Sequence, residues 1–353
     1  TEKFKDSPLP YFAVVQLYSR DPKNIEKAIA AAEKAKQLDS QNVTYALTLA
    51  DIYYRRYSIS KNEDDFRKAV DIATEALSFP DSLDVPGPRA RTSFINRYSL
   101  HTFLANCFVE KAVTLASGDA EKAKWLQKAE QEVHELDQLL GSAENAYAIM
   151  WHGRLLLAEG KVSEAVVQMN AAYDALTAGT VSEQAQGDIQ LGRLSCDLAK
   201  VFENTPEIGA VIKYYSTAFR SGVHLVKPEI LLDSAAVLMR AQDWKGAIES
   251  VDFFEKNFTA NARSRILRVG AYIGANMFDE AQESLGKLPQ DDPNTLRLKL
   301  AYLKNKMSVT GWGLARSSEA SQQAGQDANT IKLKAEYDSL KSQYDKASEQ
   351  IAS

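Results

Sequence analysis

The chain has little glycine, proline or cysteine for its length. Its 353 residues include 17 glycines, 10 prolines and two cysteines, Cys107 and Cys196. A disulfide-rich scaffold needs many more cysteines at close spacing, so that class is excluded, and we expect both side chains to be small buried residues. Because glycine and proline are scarce, long stretches contain no helix breaker.

Long apolar runs and an excess of charge of one sign are also missing. No run of about 18 apolar residues occurs, so we expect no membrane insertion in this segment. The 42 basic and 47 acidic residues are well mixed and give a net charge of −5, which disfavours nucleic acid as the partner. Because the chain starts at Thr1 rather than Met, we expect a processed protein or a fragment cut from something longer. Any targeting or membrane segment upstream would be invisible in this sequence, so the compartment stays unknown.

Motifs that carry chemistry are absent as well. None of the four histidines lies in an HExxH or HxxxH pattern, and no CxxC pair exists. No GxxxxGK[ST] or GxGxxG phosphate loop and no GxSxG elbow occurs, and Gly311-Trp312-Gly313 is interpreted as a tight turn with an anchored tryptophan. We therefore expect no catalytic residue, no metal and no cofactor.

Amphipathic helical patterns fill the chain. From Asn24 to Asn42, three small residues, Ala28, Ala32 and Ala35, share one helical face and allow a neighbouring helix to approach closely. Two further apolar segments follow and repeat the pattern with Leu49, Ala50, Tyr53, Ala69, Ala73 and Ala76. Two helices, a turn and the same again indicate a helix-hairpin repeat.

This pattern resembles the tetratricopeptide family, whose repeat has a small-and-large residue signature at a period near 34 residues. The six residues from Leu49 to Ala76 match its signature positions, and the phrases EGKVSEAV, AQDWKGAI and ANMFDEAQ resemble its inter-helix turn. The resemblance covers residues 8–307. It implies an all-α fold, an α–α superhelix of about seven helix hairpins, with buried alanines at Ala28, Ala69, Ala165, Ala247 and Ala281.

The tail has a different composition. Residues 308–353 are assigned to a second region, in which small and polar residues from Thr310 onward predict a linker or irregular cap. A final helix follows, with apolar residues at heptad spacing from Leu333 to Ile351. This helix is interpreted as a cap on the last repeat, as a coiled-coil contact that would make the chain oligomeric, or as a frayed end.

The resemblance implies binding rather than catalysis. In such arrays the first helix of each pair lines a concave groove, and we expect this groove to hold a segment of a partner protein. The Lys–Asn carboxylate clamp of one subset is not matched. The groove positions that do carry residue types enriched at binding hot spots are Tyr54, Arg55, Asn106, Tyr147, Arg154, Arg193 and Arg240.

The arginines at these positions favour an acidic or aromatic ligand segment. We expect the side chain of Arg154 to be exposed, so that reversing its charge weakens partner capture and leaves the fold intact. Two alternatives to a scaffold stay open. One is the repeat domain of a larger enzyme, such as a glycosyltransferase or membrane enzyme. The other is a carbohydrate-binding repeat protein, with Trp151, Trp244 and Trp312 as its aromatic platform.

Overall fold

The computed structural model describes residues 6–19, 24–83, 87, 89–142, 144–178, 188–225, 227–321 and 328–352, and those residues form α-helices without any β-strand. The helices are α1 Leu9–Tyr18, α2 Ile25–Leu38, α3 Val43–Ser60, α4 Glu63–Ala76, α5 Ala90–Val113, α6 Ala120–Leu140, α7 Ala146–Glu159, α8 Val162–Ala178, α9 Ile189–Phe202, α10 Ile208–Arg220, α11 Glu229–Arg240, α12 Trp244–Asn257, α13 Ala262–Gly274, α14 Phe278–Gly286, α15 Pro293–Ser321 and α16 Ala328–Ala352. The predicted all-α class is confirmed.

The helices pair in chain order into hairpins. Each odd-numbered helix packs on the even-numbered helix that follows it, which gives eight hairpins in the described part of the chain rather than about seven. The odd-numbered first helices also contact one another, α3 with α5, α5 with α7 and α7 with α9, and further along α11 with α13 and α13 with α15. Rows of neighbouring first helices are the surface to which the sequence assigned binding.

The chain divides into two compact units. Unit 1 comprises residues 1–228 with α1 to α10, and unit 2 comprises residues 229–353 with α11 to α16. The boundary expected after residue 307 falls inside α15. Because each hairpin contacts mainly its neighbours, a unit grows by stacking and needs no single central core.

The three related phrases in the sequence form the same turn. Gly160, Gln242 and Asn276 each follow a first helix and adopt a left-handed backbone, with φ of 92°, 60° and 59°. In each case the next residue's N–H donates to a carbonyl five residues earlier: Lys161 to Leu156, Asp243 to Leu238 and Met277 to Tyr272, all at 2.9 Å. This closure satisfies carbonyls that the helix end leaves unpaired and starts the second helix at once.

Small residues hold the hairpins together, as predicted. Ala28, Ala69, Ala165, Ala247 and Ala281 are all fully buried. Leu49, Ala50, Tyr53, Ala73 and Ala76 are buried as well. A methyl side chain lets the backbones of neighbouring helices approach closely, while Leu49 and Tyr53 fill the space beside it.

The predicted linker is wrong for its first part. Residues 310–321 continue α15 as a regular helix, and residues 322–327 lie outside the described residues. Helix α16 then packs along α15, and its heptad residues Leu340 and Ala347 are buried in one core with Val269 and Leu303. This core contact within unit 2 supports the interpretation of α16 as a cap.

Replacing Ala247 with Leu is expected to lower the free energy of unfolding by about 1–3 kcal/mol, because the added methylenes overpack a fully buried helix contact. Chemical denaturation measures the change. Ala123→Leu on α6 is the matched control, since Ala123 is exposed and helical. Equal stability of the two variants would contradict the assignment of Ala247 to a tight helix–helix contact.

Candidate functional site

Six of the seven predicted binding residues lie on the first helices of unit 1. They are Tyr54 and Arg55 on α3, Asn106 on α5, Tyr147 and Arg154 on α7, and Arg193 on α9. The seventh, Arg240, is the last residue of α11 in unit 2, and its side chain is exposed.

A carboxylate that the sequence analysis did not single out joins two of these residues. Glu110 on α5 accepts hydrogen bonds from the Tyr54 hydroxyl and from Arg193 Nη1, both at 2.5 Å. Lys227 Nζ lies 2.7 Å from the same carboxylate. We call Glu110, Tyr54, Arg193 and Lys227 the Glu110 cluster. It ties α3, α5 and α9 to the segment that follows α10.

The electrostatics of the Glu110 cluster favour its paired, charged form. Burial alone would raise the pKa of Glu110, but Lys227 and Arg193 outweigh it and hold that pKa well below its ordinary value. Burial and the nearby Glu110 carboxylate raise the pKa of Tyr54 well above its ordinary value. Burial also raises the pKa of the adjacent Cys107 thiol, so this cysteine is not an activated nucleophile.

A second cluster lies one hairpin further along. Arg154 Nε lies 2.7 Å from the carboxylate of Asp197, and Arg154 Nη1 donates to Asn106 Oδ1 at 2.6 Å. Asn106 in turn donates to Gln190 Oε1 at 3.2 Å, and the guanidinium of Arg154 lies over the Trp151 ring. We call Arg154, Asp197, Asn106 and Gln190 the Arg154 cluster. It joins α5, α7 and α9.

Aromatic side chains adjoin these clusters. Phe94 stacks on Tyr98 with ring centroids 6.3 Å apart, and Tyr98 meets Tyr147 edge-on at 6.4 Å. The Tyr147 hydroxyl donates to Asp188 at 2.8 Å, just before α9 and two residues from Gln190. Phe94 is 41% exposed. We call Phe94, Tyr98 and Tyr147 the aromatic strip.

The exposure expected for Arg154 is wrong. Arg154 is 1% exposed and Arg193 is 5% exposed, and carboxylates of the same chain neutralise both. Reversing the charge of a buried, paired arginine leaves uncompensated charges in the interior, so the fold would not stay intact. On α3, Arg55 forms an ion pair with Asp51 at 2.7 Å and donates to the Ser19 carbonyl.

The charged groups that pair with the predicted residues are partly exposed. The exposed side-chain fraction is 31% for Asp51, 25% for Lys227, and 20% each for Glu110 and Asp197. Two of these carboxylates can be found from the sequence, because residues four apart share a helical face. Glu110 follows Asn106 by four residues, and Asp197 follows Arg193 by four residues. Lys227 has no such signal, because it comes from a connection after α10.

The described residues also bear on metal, thiol and membrane sites. Within them, no three His, Cys, Asp or Glu side chains are grouped so that they could hold a metal ion. Cys107 and Cys196 are both buried free thiols, as predicted. In the described part of the chain, no helix combines the length and the apolar character needed to cross a bilayer.

Comparisons with known proteins give structural similarity alone. No protein-family model matches the sequence, and no curated protein matches it. Solved structures similar to the chain include the TPR domain of P58(IPK), at 13% identity over 96% of this chain and 89% of that one, with a TM-score of 0.23. The APC/C hetero-tetramer Cut9–Hcn1 has 14% identity, 95% and 98% coverage and a TM-score of 0.25. Yeast Tom70 has 12% identity, 97% and 90% coverage and a TM-score of 0.22. With TM-scores this low, the assignment to a helix-hairpin array depends on the chain's own helix pairing.

Replacing Glu110 with Gln is expected to lower the free energy of unfolding at pH 7 by about 3–5 kcal/mol, because buried Arg193 loses its counter-charge. The pKa of Glu110 is lower in the folded chain, so its stabilisation is complete above the unfolded-state pKa, about 4.5. That stabilisation is lost as the pH falls below this value, and the gap between wild type and variant should shrink.

Denaturant titrations at pH 7 and near pH 3 measure this gap. Glu130→Gln on α6 is the control, since Glu130 is exposed and its replacement should change stability by no more than about 0.5 kcal/mol. A gap between wild type and Glu110→Gln that is the same at both pH values would contradict the charged state assigned to Glu110.

Proposed function

We propose that this chain is a non-catalytic protein–protein interaction scaffold that holds a segment of a partner protein against the first helices of unit 1. The observation that carries the proposal is the set of polar clusters on α3, α5, α7 and α9, together with the aromatic strip and its exposed ring, Phe94. The Glu110 cluster, the Arg154 cluster and the aromatic strip draw on all four helices. They include Tyr54, Asn106, Tyr147, Arg154 and Arg193, which the tetratricopeptide resemblance assigned to the groove.

Rigidity supports this role. Tyr54, Asn106 and Arg154 are buried and held by charge-assisted or amide hydrogen bonds, so their side chains lose little freedom when a ligand docks. The strip adds aromatic area with few rotatable bonds, which is a common source of binding energy at protein interfaces. A preformed surface of this kind suits a segment that orders itself on binding.

The chemistry of the bound segment differs from the acidic one that the sequence suggested for this face. Arg154 and Arg193 cannot serve a ligand carboxylate, because carboxylates of the chain already occupy their guanidinium groups. The partly exposed groups Asp51 and Asp197 can accept hydrogen bonds from a partner. We infer a segment with an apolar residue for the aromatic strip and a Lys or Arg for these carboxylates.

The same residues are poorly suited to catalysis. The pKa of Glu110 is lowered and that of Tyr54 is raised, so both shifts lead away from the neutral range in which an acid–base group works. Two of the three tryptophans suggested for a carbohydrate-binding platform are packed inside the protein. Trp151 is fully buried, and the ring of Trp244 packs against Gly274. Trp312 remains exposed and lies in unit 2.

Replacing Phe94 with Ser is expected to weaken partner capture by about tenfold, the equivalent of roughly 1.4 kcal/mol, because an aromatic contact at the interface is lost. The measurement is affinity capture on the immobilised full chain from a lysate of the source cells, quantified by mass spectrometry. Val167→Ser is the matched control, because Val167 is 71% exposed and lies on the second helix α8.

Val167→Ser should keep the wild-type melting curve, since Val167 is mostly exposed. Phe94→Ser loses the stack on Tyr98, so its melting temperature should fall only slightly and the variant should stay folded in the assay. A partner that is lost with Phe94→Ser and retained with Val167→Ser supports the first-helix face of unit 1. Equal capture by wild type and both variants would remove this face from consideration.

A further inference from the structure

The last hairpin carries a groove that the scaffold role of unit 1 does not use. It is a shallow depression of about 390 Å³ between α15 and α16. Its lining consists of one stripe of α15 and one residue of α16: Lys304, Met307, Ser308, Gly311, Trp312, Ala315 and Tyr337. The α15 residues recur at steps of three and four, so they share one helical face.

Gly311 is the reason that Tyr337 can lie in this groove. A Cβ atom built on Gly311 would be 3.3 Å from Tyr337 Cε2, tighter than most real contacts. A glycine inside a helix costs about 1 kcal/mol relative to alanine, so close contact with a ring is a physical reason for it. The Gly-Trp-Gly sequence is therefore a site of close helix packing and not the tight turn expected from the sequence.

Trp312 is the most exposed large aromatic side chain among the described residues. Its exposed fraction is 69%, whereas the sequence suggested an anchored ring. The indole lines the groove beside Met307 and Tyr337, so its apolar surface faces water next to other apolar surface. An aromatic ring at a polar-rimmed depression is the kind of anchor that protein interfaces use.

The groove is flanked by mainly basic residues of α15 and by both lysines and acidic residues of α16. Helix α15 contains five Lys or Arg and one acidic residue, Glu319. Lys304 lies in the groove, and Lys334 and Lys341 on α16 lie one turn before and after Tyr337. Within the described part of the chain, these three lysines form no ion pair, and each is exposed.

We propose that this groove binds an acidic segment of a partner protein, with an apolar side chain against Trp312 and Tyr337 and flanking Asp or Glu residues at Lys304, Lys334 and Lys341. Charge complementarity at the rim and the exposed indole in the floor carry the proposal. The site goes beyond the proposed function, since it lies in unit 2 and uses no residue of the unit 1 clusters.

A short acidic segment fits better than a polyanion. Nucleic acids and anionic membranes need a continuous basic surface, but α16 also carries Glu336, Asp338, Asp345 and Glu349. The chain as a whole has a net charge of −5, which repels a polyanion at longer range. A short segment with discrete carboxylates on either side of an apolar residue needs only a few separate lysines, such as Lys304, Lys334 and Lys341.

The test is fluorescence anisotropy with the full chain and a labelled short peptide that has Phe and Leu at its centre and Glu on both sides. The same peptide with Lys in place of Glu is the comparison. The Glu peptide should bind at least about tenfold more tightly, because the Lys version meets like charges at the rim. Trp312→Ser should weaken the Glu peptide about tenfold, while Val167→Ser in unit 1 should leave it unchanged.

Reversing the charge of two lysines distinguishes specific recognition of the acidic peptide from non-specific binding. In the double variant Lys304→Glu with Lys334→Glu, the preference should invert and the Lys peptide should bind better. Wild-type melting of both groove variants confirms that they are folded. No binding of the Glu peptide, equal binding of the two peptides, or an unchanged affinity in Trp312→Ser would overturn the proposal. So would tighter binding of oligo(dT) or of phosphatidylserine vesicles that is lost in the double lysine variant.

Discussion

The first-helix face of unit 1 depends on one largely buried carboxylate, that of Glu110, whose side chain is 20% exposed. Glu110 accepts from Tyr54 on α3 and from Arg193 on α9, and Lys227 from the following connection reaches it as well. A carboxylate and a guanidinium removed from water lose several kcal/mol of solvation, which only close pairing offsets. The hairpins of unit 1 therefore have to stack in the register that brings these groups together. Apolar packing alone would tolerate a small slip, because it is not directional.

Small-residue packing within each hairpin and polar contacts between neighbouring hairpins both shape the array. Alanines such as Ala69 and Ala165 set the close approach of helices within a hairpin, and the left-handed turns at Gly160, Gln242 and Asn276 reverse the chain. The polar clusters then fix neighbouring first helices relative to one another in unit 1. A face whose buried side chains are already ordered can offer its exposed Phe94 ring and its partly exposed carboxylates to a ligand at little entropic cost.

Sequence reasoning succeeded where the signal was local and periodic. The buried alanines, the shared inter-helix turn and the all-α class all follow from repeated spacing within about one hairpin. It named Arg154 and Arg193 but missed their burial, because their partners Asp197 and Glu110 come from other helices. It ended α15 near Thr310 because glycine and serine are weak helix formers, whereas packing against α16 extends that helix to Ser321. In both cases the outcome depends on contacts between helices, which the local sequence does not show.

A double-mutant cycle on Glu110→Gln and Arg193→Met tests most directly whether the buried ion cluster holds the first helices of unit 1 together. The free energy of unfolding is measured for wild type, both single variants and the double variant at pH 7. If the two side chains stabilise the fold through each other, the double variant loses less than the sum of the single losses by more than about 1 kcal/mol. Losses that add within about 0.5 kcal/mol would contradict the central place of the Glu110 cluster in unit 1.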